Sequence, residues 1–134
     1  MTGNSANPTQ KSLHILVVDD NAIGLRLMTA ILTRLGHQAD TVQDGAAAVL
    51  KFREKHYDAI LMDIMMPVMD GITATREIRK AEAERQTKPD DRVKIIAITA
   101  NAFDNDREIL FEAGMDHYMN RPVKTDELQR ILIS

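Results

Sequence analysis

"YDAILMDIMMPVMDG" occupies residues 57–71. Ala59 to Met62 form an unbroken apolar run that ends on a single carboxylate, Asp63. A strand with one wet face alternates polar and apolar residues; a strand covered on both faces does not. This run does not alternate. It reads as a strand inside a sheet with helices on both sides, with an unexplained aspartate at its tip.

The pattern repeats outward in both directions. "HILVVDD" (14–20) is a buried strand with an acidic stop, "QADTVQD" (38–44) a weaker one, "RVKIIAIT" (92–99) a fourth and "HYMNRP" (117–122) a fifth. Amphipathic segments fall between them. Residues 21–36 read as a helix with Ile23, Leu27, Ala30, Ile31 and Leu35 on one face and Gly36 at its end. Residues 45–56 follow with Asp44 as cap, then 71–86, 105–114, and 125–133 with Thr125 as cap. Asp70 turns the loop or caps the helix after it. Five βα units predict a doubly wound α/β fold.

Composition narrows the function. The chain has 134 residues, enough for one domain with a real core. A net charge of −3 argues against a nucleic-acid binder held by a basic face, and the absence of Trp leaves little to stack bases on. Cys is absent, which removes disulfides and thiolate metal sites. No apolar stretch approaches the roughly 20 residues of a membrane span. Residues 1–11 are polar, without the apolar core of a signal peptide, and are expected to be a disordered leader or linker. A cytoplasmic domain, 12–134, is the expectation. The short last helix hints that the natural chain continues.

In open α/β sheets, ligands bind beyond the carboxyl ends of the strands. There this chain places Asp19 and Asp20 after the first strand, Asp63 after the third, Thr99 after the fourth and Arg121 after the fifth. Any one of them has a plain structural reading as a turn or cap residue. Together they do not. Carboxylates about 4 Å apart repel by ~4 kcal/mol at an effective dielectric of 20, so the cluster wants a cation. Oxygen donors alone favour Mg²⁺, ahead of Mn²⁺ or Ca²⁺. Carboxylate, metal, hydroxyl and fixed cation form a phosphoryl-transfer site.

These residues also carry a family resemblance. "ILVVDDN", "DIMMPVMDG", "AITANA" and "GMDHYMNRP" resemble the conserved stretches of the receiver domain of two-component response regulators, over about residues 12–133. The resemblance implies the flavodoxin-like sheet order 2-1-3-4-5. It makes Asp63 the phosphoacceptor, and Asp19 and Asp20 the acidic pair that holds Mg²⁺, Asp20 more directly. The backbone carbonyl of Met65 becomes a further ligand. Thr99 becomes the switch hydroxyl, Tyr118 the aromatic that turns inward with it, and Pro67, Gly71 and Pro122 the residues that shape the loops. The implied partner is a sensor histidine kinase or a histidine phosphotransfer domain, with no nucleic acid and no membrane bound by this domain, as monomer or weak dimer. The implied chemistry is self-catalysed phosphoryl transfer and hydrolysis, not conventional turnover. The leader and the style of the fourth strand lean toward a receiver from a hybrid kinase.

One position departs from the family. Arg121 stands where the family has Lys. The two are not equivalent at a tight site, because Arg is a planar fork and Lys a compact point charge. Three readings stay open: Arg121 does the job with altered geometry, it weakens the coupling to the switch, or the domain is an interaction module that works without phosphorylation. Lys124 is a remote substitute. The Arg121–Pro122 bond is expected to be cis, by the same resemblance.

Two rival classes fit less well. A flavodoxin-like cofactor binder needs a Gly/Ser/Thr loop after the first strand, and "DDNA" would repel a bare phosphate. An aspartyl phosphatase typically carries D-x-D after the first strand, which this chain lacks. The remaining features read as structural. His14, His37, His56 and His117 are expected at solvated or edge positions. The methionines at 62, 65, 66 and 69 are read as packing, and the charges of 76–92 as a solvated helix face without much ion-pair support.

Overall fold

A computed structural model describes residues 12–64, 70–99 and 104–134, the side chains of 104–106 excepted. The expected leader, Met65 and Pro67 lie outside the described residues. The strands are β1 (His14–Val18), β2 (Gln38–Val42), β3 (Ala59–Asp63), β4 (Lys94–Thr99) and β5 (His117–Asn120). The helices are α1 (Ala22–Arg34), α2 (Gly45–Glu54), α3 (Gly71–Glu84), α4 (Asp104–Ala113) and α5 (Thr125–Ile133). All five strands are parallel, in the order β2-β1-β3-β4-β5. Each element falls within a few residues of its sequence-based range. The loop at 87–91 holds a short 3-10 turn, Pro89–Asp91.

Side chains alternate across each strand and feed two cores. Leu16, Val18, Ile60, Met62, Ile95 and Ala97 face α2, α3 and α4, meeting Phe52, Ala74, Ile78 and Leu110. Ile15, Val17, Leu61, Ile96 and Ile98 face α1 and α5, meeting Leu25, Met28, Leu32, Leu128 and Leu132. Each large side chain removed from water contributes about 1.5–3 kcal/mol, which is why the central strands are apolar on both faces. Gly36 follows α1 with φ +92°, a conformation that favours glycine.

The register levels the strand ends. Val18 pairs with Met62, so Asp19 sits one step on, level with Asp63. Asp63 pairs with Ile98, so Thr99 is one step past it. Thr99 pairs with Asn120, and Arg121 follows.

Four sequence-based expectations need correction. The buried face of α1 is Leu25, Met28 and Leu32, while Ile23 and Leu27 are exposed. Ile31 and Leu35 of the expected face do pack, partly buried, against the same core. Thr125 does not cap α5. Leu128 N–H bonds the Lys124 carbonyl, which makes Lys124 the cap position, with no side-chain cap bond. His37 is buried, not solvated: its Nδ1 accepts the Leu13 N–H at 3.1 Å and its Nε2 bonds Gln129 Oε1 at 2.9 Å.

The fourth correction concerns α3, which is not simply a solvated helix with charges. Arg79 donates to Glu82 Oε1 (2.7 Å), Asp116 Oδ2 (2.8 Å), the Val93 carbonyl (2.9 Å) and the Gly114 carbonyl (2.8 Å). Buried Glu82 also accepts the Val93 N–H at 2.7 Å. The network ties α3 to the start of β4 and to the turn before β5.

Candidate functional site

The local sequence keeps both acids after β1 out of helix capping. Asn21 caps α1, its side chain accepting the N–H groups of Ile23 (2.8 Å) and Gly24 (3.2 Å). Asp19 accepts the Asn21 N–H on Oδ1 at 2.9 Å, which leaves Oδ2 directed elsewhere. Asp44 and Asp70 cap α2 and α3 through the N–H groups of Ala47 and Thr73, each at 2.7 Å.

Asp19, Asp20 and Asp63 each bring a carboxylate oxygen within 4.8 Å of the others. Among the described residues this is the one such group that could share a cation. Asp19 and Asp63 are buried and Asp20 is exposed, so the cluster opens to solvent through Asp20. Its chemistry fits magnesium: every donor is a hard oxygen. Met65, whose carbonyl is the expected further ligand, lies outside the described residues.

Arg121 enters from the β5 side. Its N–H donates to the Thr99 carbonyl at 2.8 Å, and the Arg121–Pro122 bond is cis. Its Nη2 lies 3.1 Å from Asp19 Oδ2 and 3.6 Å from Asp63 Oδ2. One nitrogen thus stands between two of the three carboxylates. Lys124 is at the cap position of α5, and among the described residues the cation paired with the cluster is Arg121. Thr99 is buried at the end of β4, beside the acids.

Two glycines let helices approach the cluster. A Cβ at Gly71 would run into the Asp63 carbonyl oxygen and lie 2.8 Å from Ile64 Cα, so residue 71 must be bare for α3 to start there. A Cβ at Gly24 would stand 2.5 Å from Asp19 Oδ2. Gly24 was missed from sequence, although a signal existed: glycine inside a helix costs ~1 kcal/mol relative to alanine and asks for a packing reason.

Tyr118 lies on β5, half-buried against the α3/α4 side of the core. Its hydroxyl accepts from Arg107 Nη1 at 2.8 Å, the Arg107 guanidinium lies 5.5 Å from its ring centre, and Phe111 meets its ring edge-on at 6.3 Å. In this structure the ring is thus held on α4, by an arginine that the sequence reading had not singled out. Pro122 lies at the surface and closes β5.

Comparison with known proteins matches this geometry. The sequence profile of the response regulator receiver domain matches residues 15–133. Hybrid signal transduction histidine kinase L of Dictyostelium discoideum is 40% identical over 129 residues, covering 94% of this chain and 7% of that protein. Sensor protein GacS of Pseudomonas syringae pv. syringae is 35% identical over 125 residues, covering 93% and 14%. The chain therefore spans a small part of these relatives. Among solved structures, the receiver domain of a Pseudomonas aeruginosa sensor histidine kinase, with magnesium coordinated in its active-site cleft, superposes with TM-score 0.79 at 47% identity, covering 91% of this chain and 95% of that one. The receiver domain of a Saccharomyces cerevisiae response regulator, solved with its histidine phosphotransfer protein, gives TM-score 0.83 at 26% identity, covering 90% and 86%. A flavodoxin-like sheet, an acidic cluster at its carboxyl edge and this profile match agree: the chain belongs to the response regulator receiver domain family.

Proposed function

We propose that Asp63 accepts a phosphoryl group from a phosphohistidine and that the domain then switches conformation to control a partner or output. The observation that carries this reading is the buried Asp63 carboxylate, grouped with Asp19 and Asp20 within 4.8 Å and faced by Arg121. Asp20, Asp19 and Asp63 would hold Mg²⁺, with Mn²⁺ as a substitute. The metal supplies charge screening and polarises a phosphoryl oxygen.

The chain's own residues account for the rest. Asp63 is the nucleophile: one carboxylate oxygen forms a bond to phosphorus as the bond from phosphorus to the histidine nitrogen breaks. Thr99 and Arg121 hold the other phosphoryl oxygens. Movement of Thr99 draws Tyr118 away from Arg107, which biases a two-state equilibrium on the α4–β5 face. Hydrolysis restores Asp63, so the domain turns over its own modification and no separate substrate.

The donor must reach Asp63 across the surface around Asp19. There an apolar cleft of about 480 Å³ lies between Leu27, Met28 and Ile31 of α1 and the Pro122–Val123 turn. Ile23 and Leu27 add exposed apolar surface. This supports a protein donor, a sensor histidine kinase or phosphotransfer domain; the same reading has it meet a monomer or weak dimer in the cytoplasm. No helix among the described residues is long and apolar enough to cross a membrane.

The test is intact mass after incubation with a small acyl phosphate and Mg²⁺, beside Asp63→Asn. One phosphoryl group on the parent and none on the variant supports the reading. No adduct on a folded, metal-supplied domain would leave a receiver fold used for interaction alone.

A further inference from the structure

We infer that Arg121 is a tethered competitor of the divalent cation: magnesium must displace its guanidinium from Asp19 and Asp63 to enter. The inference rests on reading the acidic cluster as a magnesium site. Arg121 Nη2 lies 3.1 Å from Asp19 Oδ2 and 3.6 Å from Asp63 Oδ2. A nitrogen between two carboxylates does there what a metal would do: it offsets their repulsion. A guanidinium keeps its charge at all working pH values, so it cannot leave by losing a proton. It has to swing out.

The surroundings favour that contest. Asp19 cannot easily turn from the arginine. Its Oδ1 is held by the Asn21 N–H at 2.9 Å, and its Oδ2 lies so close to α1 that a Cβ on Gly24 would stand 2.5 Å away. Arg121 itself has a way out. Its side chain is 39% exposed, against 13% for Asp19 and 6% for Asp63. The backbone at 121 stays anchored on the Thr99 carbonyl, so the side chain can move while the strand end does not. Metal and arginine would draw on the same two carboxylates, so each weakens the other's hold by the same factor.

The experiment is a MgCl₂ titration at constant ionic strength without phosphodonor, read by the amide resonances of Asp19, Asp20 and Asp63. Parent, Arg121→Gln, Arg121→Met and Lys124→Gln are compared. The Arg121 variants are expected to bind Mg²⁺ about tenfold more tightly. Lys124→Gln removes the same charge three residues on and is expected to stay within about twofold, as screened surface charges do. A second readout is the urea midpoint in EDTA and in Mg²⁺. The gap between the two widens in the Arg121 variants, because the metal-free state loses its internal cation. Equal or weaker binding in both Arg121 variants overturns the competition and leaves the magnesium site standing. Equal tightening in Lys124→Gln also overturns it, since the effect would then be net charge alone. Shifts in none of the four proteins overturn the inference and the magnesium reading together.

Discussion

Two charged clusters sit at opposite ends of the same sheet, and both contain an arginine between two acids. At the amino end, Arg79 is 12% exposed and donates to Glu82, Asp116, Val93 and Gly114 at 2.7–2.9 Å. Arg92 approaches the same Glu82 at 3.7 Å, so two cations meet two anions there. At the carboxyl end, one guanidinium lies 3.1 and 3.6 Å from two of three grouped carboxylates. The first cluster is balanced and fully engaged with backbone groups. Among the described residues the second groups three acids with one arginine, and it opens to water through Asp20. Both set arginine against carboxylates; the balance differs. A cluster whose charges pair off holds structure, and one in which acids are gathered around a single arginine suits a cation.

That contrast is breakable. Its largest consequence is for chemistry: Asp63→Asn should abolish phosphoryl uptake by intact mass while the urea midpoint holds or rises, because one repelling charge is gone. If the folded variant still takes up the group, another residue is the acceptor. Next comes stability. Arg79→Met leaves Glu82 buried without its main partner and should cost about 3–5 kcal/mol in urea unfolding, with phosphorylation per folded molecule unchanged. A loss near zero would mean that the network is decorative. Gly24→Ala is the sharper probe of the two ends. The helix gains up to ~1 kcal/mol of intrinsic propensity, yet the new Cβ presses on Asp19 Oδ2. The expected signature is weaker Mg²⁺ binding, by a factor of several, with little change in midpoint.

The smallest effect lies at a third acid, on the β2 edge. Asp40 accepts from Lys55 (2.9 Å), Tyr57 (2.8 Å) and His14 (3.1 Å) through one oxygen. The bond from the Lys55 ammonium, and after it the Tyr57 hydroxyl, hold its carboxyl down at about 2 against the opposing cost of burial. Tyr57 is pushed up in turn, by burial first and by the Asp40 bond second. Because the folded value of Asp40 is depressed, its contribution is present above the ordinary value of 3.8 and is lost as pH falls from there toward 2. With the site partly open to water, about 1 kcal/mol is at stake. Asp40→Asn should flatten the drop in urea midpoint between pH 5 and pH 2 by that amount; an unchanged slope would place the acid sensitivity elsewhere.

The sheet was legible because each strand announces itself locally, as an apolar run between a turn and an acid. The site was legible because Asp19, Asp63, Thr99 and Arg121 all fall at strand ends, and parallel register brings strand ends together. What failed needed distance or orientation. Arg79 and Asp116 are 37 residues apart, and nothing in either neighbourhood names the other. His37 meets Gln129 across 92 residues. The phase of α1 was off by part of a turn: Ile31 and Leu35 pack as expected, but Ile23 and Leu27 face water. Whether Arg121 reached the acids was a matter of side-chain direction, so the sequence left open three readings of what it does in place of Lys.

The register has a last consequence. The acids are positioned by a ladder of backbone hydrogen bonds, and a ladder can slip only by whole rungs. A single residue inserted into β3 would turn Asp63 to the opposite face and push its neighbour to the tip. The same insertion in the 87–91 loop would change almost nothing at the site. Error in this domain is therefore digital where the chemistry is placed and analogue where the chain merely turns.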